Sequence, residues 1–243
     1  MRHRMNRESA RSCLHCEVFP NTLFGRIGER VEMPAMLRSG QRTMRRNTVI
    51  HNSGRYPREL YTIYTGWCAR SVVLQDGRKL ILDFYVPGDF LTLPALLGET
   101  SFGSIQTITD AALCTFAPER LQTWIRDDER MRRIVECVWK DECRDAQRRM
   151  LDLGVKSAEE KVASLLLHLR TKLARIKPVG DVIEFPLRLT HIAEATGITP
   201  VHASRTIKAL EADHLIERVP GGLRMPDIAA LRDMACEVEA NTA

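Results

Sequence analysis

Between residues 187 and 215 apolar side chains recur at helical spacing, stop, and resume on a new phase. Ile192, Ala193 and Ala195 form a short apolar face that ends at Gly197, the residue best suited to a left-handed turn. Thr199 stands where a second helix needs an N-cap, and Pro200 at its first position loses no needed donor. Ala203, Ile207 and Leu210 mark a buried face, while Val201, Arg205 and Lys208 fall opposite, flanked by His202 and Ser204. The pattern predicts two short helices joined by a tight turn. The second offers His, Ser, Arg and Lys outward from its N-terminal half, as a helix entering a DNA major groove does. A plain surface helical hairpin has the same turn chemistry, so this window alone leaves both readings open.

Upstream the period changes. YTIYTGW (61–67) and SVVLQDGRKLILDFYVPGDF (71–90) are β-rich, with Asp76-Gly77 as a hairpin turn and Pro87-Gly88-Asp89 as a strand end. SIQTITD and ALCTF, within 104–116, add two more strands, and this spacing predicts a closed or rolled antiparallel barrel. From 119 to 153 nine basic and nine acidic residues cancel, as on a solvated helix. Met131, Val135, Val138, Ala146, Met150 and Leu153 make an apolar seam along it, interrupted by Glu142. That seam suits either packing on its own barrel or pairing with a twin helix.

Ser157 is placed to cap a further helix over 158–176, with Glu159 and Glu160 in its favourable first turn. Val162, Leu165, Leu166 and Leu169 supply its buried face, and His168 within it reads as structural. After Leu210, the runs 215–219 and 223–225 around Pro-Gly-Gly predict a small β-wing, and Asp227 starts a last helix.

GITPVHASRTIKAL (197–210) resembles the recognition segment of the Crp/Fnr superfamily of transcription regulators. Gly54, YTIYTGW, Asp76-Gly77-Arg78 and FYVPGD (84–89) resemble the effector-sensing β-roll of the same superfamily. The two resemblances span about residues 50–235, in the family's own order. They imply an α+β chain: an N-terminal antiparallel, cyclic-nucleotide-binding-like β-roll, a long dimerisation helix and a C-terminal winged helix-turn-helix. The implied divisions are an arm at 1–46 with a C-x-x-C pair and short helices, a sensor roll at 47–118, a dimer helix at 119–153 and a DNA-binding domain at 154–236.

The resemblance further implies a homodimeric, effector-responsive regulator that binds double-stranded promoter DNA and works with RNA polymerase. Dimer contacts are then expected at Met131, Val135, Val138, Ala146 and Met150, and DNA contacts at Thr199, Val201, His202, Ser204, Arg205 and Lys208. Relatives commonly offer a Glu near the start of the recognition helix and a Ser/Gly-Arg pair one turn on. Ser204-Arg205 match the pair, but Val201 stands in place of the Glu and can touch only a thymine methyl. The usual TGA-type half-site therefore does not transfer. Arg188 also departs from the pattern, since it stands where a Ser or Thr cap is common.

Composition sharpens this picture. At 243 residues, 44% apolar and 28% charged, the chain suits two modest soluble domains and a connector. No run approaches the length of a membrane span, and the basic N-terminus lacks an apolar signal core. A cytoplasmic location is expected, with most of the seven cysteines reduced. The net charge of +5 is not a DNA footprint, because residues 1–46 alone carry ten Arg against four Glu, or +6. Residues 187–225 carry five Lys/Arg against four Asp/Glu, so any footprint is a few cations on one face. The Arg-rich N-terminus reads as a solvated arm.

Cofactor chemistry narrows likewise. Cyclic-AMP binders of the family place an Arg just after the short helix that follows the Pro-Gly-acidic turn. Here no Lys or Arg occurs from Leu80 to Glu119, which argues against cyclic AMP, since a buried phosphate without a cation is expensive. The chain thus resembles the Fnr/FixK-like branch. His is absent between His51 and His168, which excludes a His-rich metal centre in the barrel. No Ser-His-Asp, P-loop or His-Glu-x-x-His pattern appears, and no enzyme is expected.

Cys13 and Cys16 are spaced to clamp one side of a metal or iron–sulfur centre, and the resemblance makes Cys114 the distant ligand. The third N-terminal cysteine of the oxygen-sensing branch is replaced by Thr22. The pair is equally consistent with a redox-active dithiol. The competing function is a redox- or metal-responsive thiol or iron–sulfur sensor whose helix-turn-helix serves protein contacts.

Overall fold

A computed structural model describes residues 13, 16–27, 36–176 and 178–236. Its strands are β1 (Arg38–Met44), β2 (Val49–His51), β3 (Leu60–Thr65), β4 (Cys68–Val73), β5 (Lys79–Tyr85), β6 (Ser104–Thr107), β7 (Ala111–Phe116), β8 (Val182–Glu184), β9 (Glu217–Val219) and β10 (Gly222–Arg224). Its α-helices are α1 (Leu93–Leu96), α2 (Pro118–Asp127), α3 (Glu129–Val155), α4 (Ala158–Ala174), α5 (Leu189–Thr196), α6 (Pro200–Ala212) and α7 (Ile228–Met234). The chain divides into two compact units, Met1–Cys68 with Tyr85–Trp139, and Ala69–Phe84 with Lys140–Ala243.

In the first unit β7 lies between β1 and β3, both antiparallel to it, so that Cys114 faces Gln41 on one side and Thr62 on the other. β2 pairs with β6. Alternation along these strands sends Tyr61, Ile63, Ile105, Ala111 and Leu113 to one apolar cluster, which Cys68, Tyr85 and Leu91 complete. A second cluster joins Leu60, Phe90 and Phe116 to Leu121 and Ile125 of α2 and to Met131 and Val135 of α3. Phe24 enters this cluster, its ring 4.9 Å from that of Phe116 and stacked on Trp124 at 6.2 Å.

Two expectations change here. The N-terminal stretch is not wholly a solvated arm, because Val18, Leu23 and Phe24 are buried and Arg38–Met44 is a strand. Residues 1–12 and 28–35 lie outside the described residues. The helix expected over 119–153 is two helices, broken at Asp128, whose Oδ1 accepts from Arg130 N (2.9 Å) and Met131 N (3.2 Å). That carboxylate caps α3, and these bonds hold its pKa below the ordinary range.

The second unit is a helix-turn-helix on a third helix, with a three-stranded wing ordered β8-β10-β9. α4 begins with a full capping box: Glu160 N donates to Ser157 Oγ (3.3 Å) and Ser157 N to Glu160 Oε2 (2.7 Å). Val162, Leu165, Leu166 and Leu169 are buried as their spacing predicts, and Asp227 caps α7. The hairpin β4–β5 turns at Gly77, whose φ of 86° only glycine adopts readily. It belongs to this unit, where Lys172 of α4 bonds Asp83 and the Phe84 carbonyl oxygen.

Candidate nucleic-acid interface

The reading helix is positioned by its turn. α5 ends at Gly197, with φ 67°, and the amide of Ile198 donates to the Ala193 carbonyl (3.2 Å), closing the helix end. Thr199 Oγ1 then accepts from His202 N (3.2 Å) and caps α6, with Pro200 in its first turn. Ala203, Thr206, Ile207 and Leu210 are buried against the unit, together with Ile192, Ala193 and Ala195 of α5. These contacts leave one face of α6 in solvent, carrying Val201 (64% exposed), His202, Arg205 and Lys208, with Ser204 half-buried at its edge. At α5, Arg188 N donates to His191 Nδ1 (3.1 Å), so the histidine satisfies the amide of the residue that precedes the helix.

Ion pairing separates the cations of this unit. Arg218 meets Glu211 at 3.1 Å, and Arg224 meets Glu217 at 2.7 Å and Asp181 at 3.3 Å. Among the described residues, neither Arg205 nor Lys208 is committed to an ion pair. Two of the five Lys/Arg of 187–225 are thus internally neutralised, and the charge left for an anionic partner is concentrated on α6 and on exposed Arg188. Sequence reading did not single out Arg188 as a candidate contact; its place at the start of the first helix was the available signal.

Residues 160–234 match the Crp-like helix-turn-helix domain, and residues 41–128 match the cyclic nucleotide-binding domain. The chain is 34% identical to the transcriptional activatory protein AadR of Rhodopseudomonas palustris over 69% of its length and 70% of AadR. It is 32% identical to the nitrogen fixation regulation protein FixK of Bradyrhizobium diazoefficiens, over 72% of this chain and 73% of FixK. The chain belongs to the Crp/Fnr family. The solved structure of FixK2 from Bradyrhizobium japonicum shares the fold at a TM-score of 0.74 and 23% identity, covering 82% of this chain and 98% of that one.

Within this Crp/Fnr chain the sensor part has two notable regions. The carboxylate of Asp89, at the Pro-Gly-Asp turn, accepts from Val86 N (3.0 Å), so it serves to close the turn. The second region is the thiols. Burial raises the pKa of Cys114, and the positive charge of Arg38 opposes that rise. Cys13 is likewise raised by burial and lowered by Arg38. Arg38 thus opposes the effect of burial on both Cys13 and Cys114. At the fourth position, Thr22 is buried, and its Oγ1 donates to the Phe19 carbonyl (2.7 Å) and accepts from Gly25 N (3.1 Å). Among the described residues no group of three His, Cys, Asp or Glu is close enough to hold a metal ion. These residues do not fit a four-thiolate cluster.

Of the expected dimer residues, Met131 and Val135 are buried in their own unit's core and Val138 packs against it. Ala146 and Met150 are exposed, Met150 by 72%. Among the described residues no helix is long and apolar enough to cross a membrane.

Proposed function

We propose that this Crp/Fnr chain acts in the cytoplasm as a one-component, homodimeric transcription regulator that reads promoter DNA with α6 and engages RNA polymerase there. The observation that carries the reading is the capped helix α6, whose solvent face holds Arg205 and Lys208, unpaired with any acid among the described residues, while its other face is locked into the unit. Arg205 takes guanine edges or a phosphate, Val201 meets a thymine methyl, and His202, Ser204 and Lys208 hold backbone or base. Thr199 sets the helix start. The relatives named AadR and FixK are called an activatory and a regulation protein, which favours regulation at promoters.

The dimer reading rests on the exposed side of α3. Trp139, Cys143, Ala146 and Met150 follow one another at intervals of four, three and four, the spacing of a coiled-coil seam, and all four are exposed. Two-fold symmetry would present two copies of α6 to two half-sites. A cyclic nucleotide is disfavoured as effector by the missing cation between Leu80 and Glu119. The C-x-x-C spacing of Cys13 and Cys16 is what favours an input through cysteine chemistry. Selection of bound sequences from a random duplex pool, by the purified full chain, tests the reading. It predicts a two-fold-symmetric site, and recovery of no enriched sequence refutes it.

A further inference from the structure

The helix-turn-helix and its wing enclose an apolar cavity behind the solvent face of α6. Its volume is about 300 Å³, and Phe185, Leu187, Ile192, Ile207, Val219 and Leu223 line it. Ile192 and Ile207 come from α5 and α6, Val219 and Leu223 from β9 and β10, and the other two from the segment between β8 and α5. All lie within the second unit. The cavity is about twice the size of the ~150 Å³ apolar hole that takes up benzene, so it admits a molecule of roughly six to eight carbons. Glycine keeps its wing side open: Gly221 also lines it, and a Cβ there would meet nothing within 4 Å.

One charged side chain belongs to the lining, that of Arg218. It lies opposite Leu223 in the β9–β10 register, so both side chains leave the same face of the wing. Its Nε is 3.1 Å from Oε1 of Glu211, and Glu211 stands one turn beyond Ile207 on α6. The guanidinium is thereby held where α6 and the wing meet, at one end of the apolar walls. Its pair with Glu211 is open to water, at side-chain exposures of 56% and 30%, and so holds it weakly. A guanidinium carries five donors in a planar fork, and one carboxylate beside Nε leaves the Nη groups for another. No acidic residue lines the cavity.

We propose that this cavity is a ligand site for a small apolar monocarboxylate, whose chain packs between α5, α6 and the wing and whose carboxylate accepts from the Nη groups of Arg218. The walls decide the chemistry. A sugar or nucleotide needs several side-chain partners, and every lining side chain other than Arg218 is apolar. The site goes beyond the DNA reading and does not depend on it, since the packing of the unit alone builds it.

Hexanoate titrated into the full chain and followed by methyl NMR tests the site, with hexanamide as the uncharged control of similar size. Hexanoate is expected to shift the methyl signals of Ile192, Ile207 and Leu223 saturably, and hexanamide to bind roughly tenfold more weakly. Arg218→Gln, at an exposed position, should bring hexanoate down to the level of hexanamide. Glu211→Gln should tighten hexanoate by roughly threefold, because it frees Arg218 of its competitor; a merely structural pair would give no gain. Leu187→Trp should fill the cavity and block both compounds. Absence of a saturable shift at those methyls overturns the proposal, as does equal affinity of hexanoate and hexanamide in the wild-type chain or a preference for hexanoate that survives Arg218→Gln.

Discussion

Lys172 Nζ sits 3.2 Å from Asp83 Oδ2 and 2.5 Å from the carbonyl oxygen of Phe84, so one ammonium group secures the end of β5 to α4. Burial would raise the Asp83 pKa, but Lys172, with His168 and Arg70, outweighs it and holds the carboxyl well below its ordinary value. A depressed folded-state pKa contributes stability above the unfolded carboxyl pKa of about 3.9, and this is lost as pH falls below that value. Asp83→Asn should therefore cost about 3 kcal/mol at neutral pH, the order seen when one partner of a largely buried pair is removed. Its stability should also fall less steeply than wild type between about pH 5 and about pH 2. Urea unfolding across that range checks both; parallel curves would remove Asp83 from the account.

At Gly197 the backbone conformation, not space, is limiting. A Cβ there would meet Leu153 Cδ2 at 3.5 Å, an ordinary contact, but φ is 67°. Gly197→Ala should thus cost about 1–2 kcal/mol of stability from left-handed strain, and Gly197→Asn less, because Asn tolerates that region. Thermal unfolding of the two variants tests the order. A larger loss for Asn would mean that crowding governs the turn.

The helices that announced themselves did so through local chemistry. Ser157 and Glu160 are three apart and cap each other, and Gly197, Thr199 and Pro200 fix the helix-turn-helix within four residues. Strand β1 was hidden because its sequence, RSGQRTM, has no apolar alternation; it is held by pairing to β7. The break at Asp128 was hidden by the acidic residues around it, which read as a solvated helix face. Asp83 and Lys172 lie 89 residues apart, and no periodicity can bring such a pair together. The wing strand β8 is as short as β9 and β10, but unlike them it has no Pro-Gly-Gly turn beside it to mark it.

The exposed seam of α3 separates assembly from folding. Met150→Glu alters a residue 72% exposed in the protomer, so protomer stability should change by no more than about 0.5 kcal/mol. Sedimentation at micromolar concentration should nevertheless shift toward monomer, since a charge in the seam opposes pairing. Met131→Ala should do the reverse: it empties a site in the protomer core and costs about 2–5 kcal/mol. A dimer that survives Met150→Glu unchanged would place the interface elsewhere.

Ion pairing predicts which cations DNA will feel. Arg205 is exposed on α6 and paired with no acid among the described residues, so Arg205→Ala should lose about 1–3 kcal/mol on the selected site, and far less on unrelated duplex if it reads a base. Lys208→Ala should weaken all sequences alike and reduce the salt dependence by about one phosphate contact per half-site. Arg218 is already paired with Glu211 at 3.1 Å, so Arg218→Ala should change affinity least of the three. Fluorescence anisotropy titrations on specific and scrambled duplex, at several salt concentrations, separate the three outcomes. Equal losses at Arg218 and Arg205 would show that the wing pair opens to reach phosphate, and that the charge available to DNA extends beyond α6.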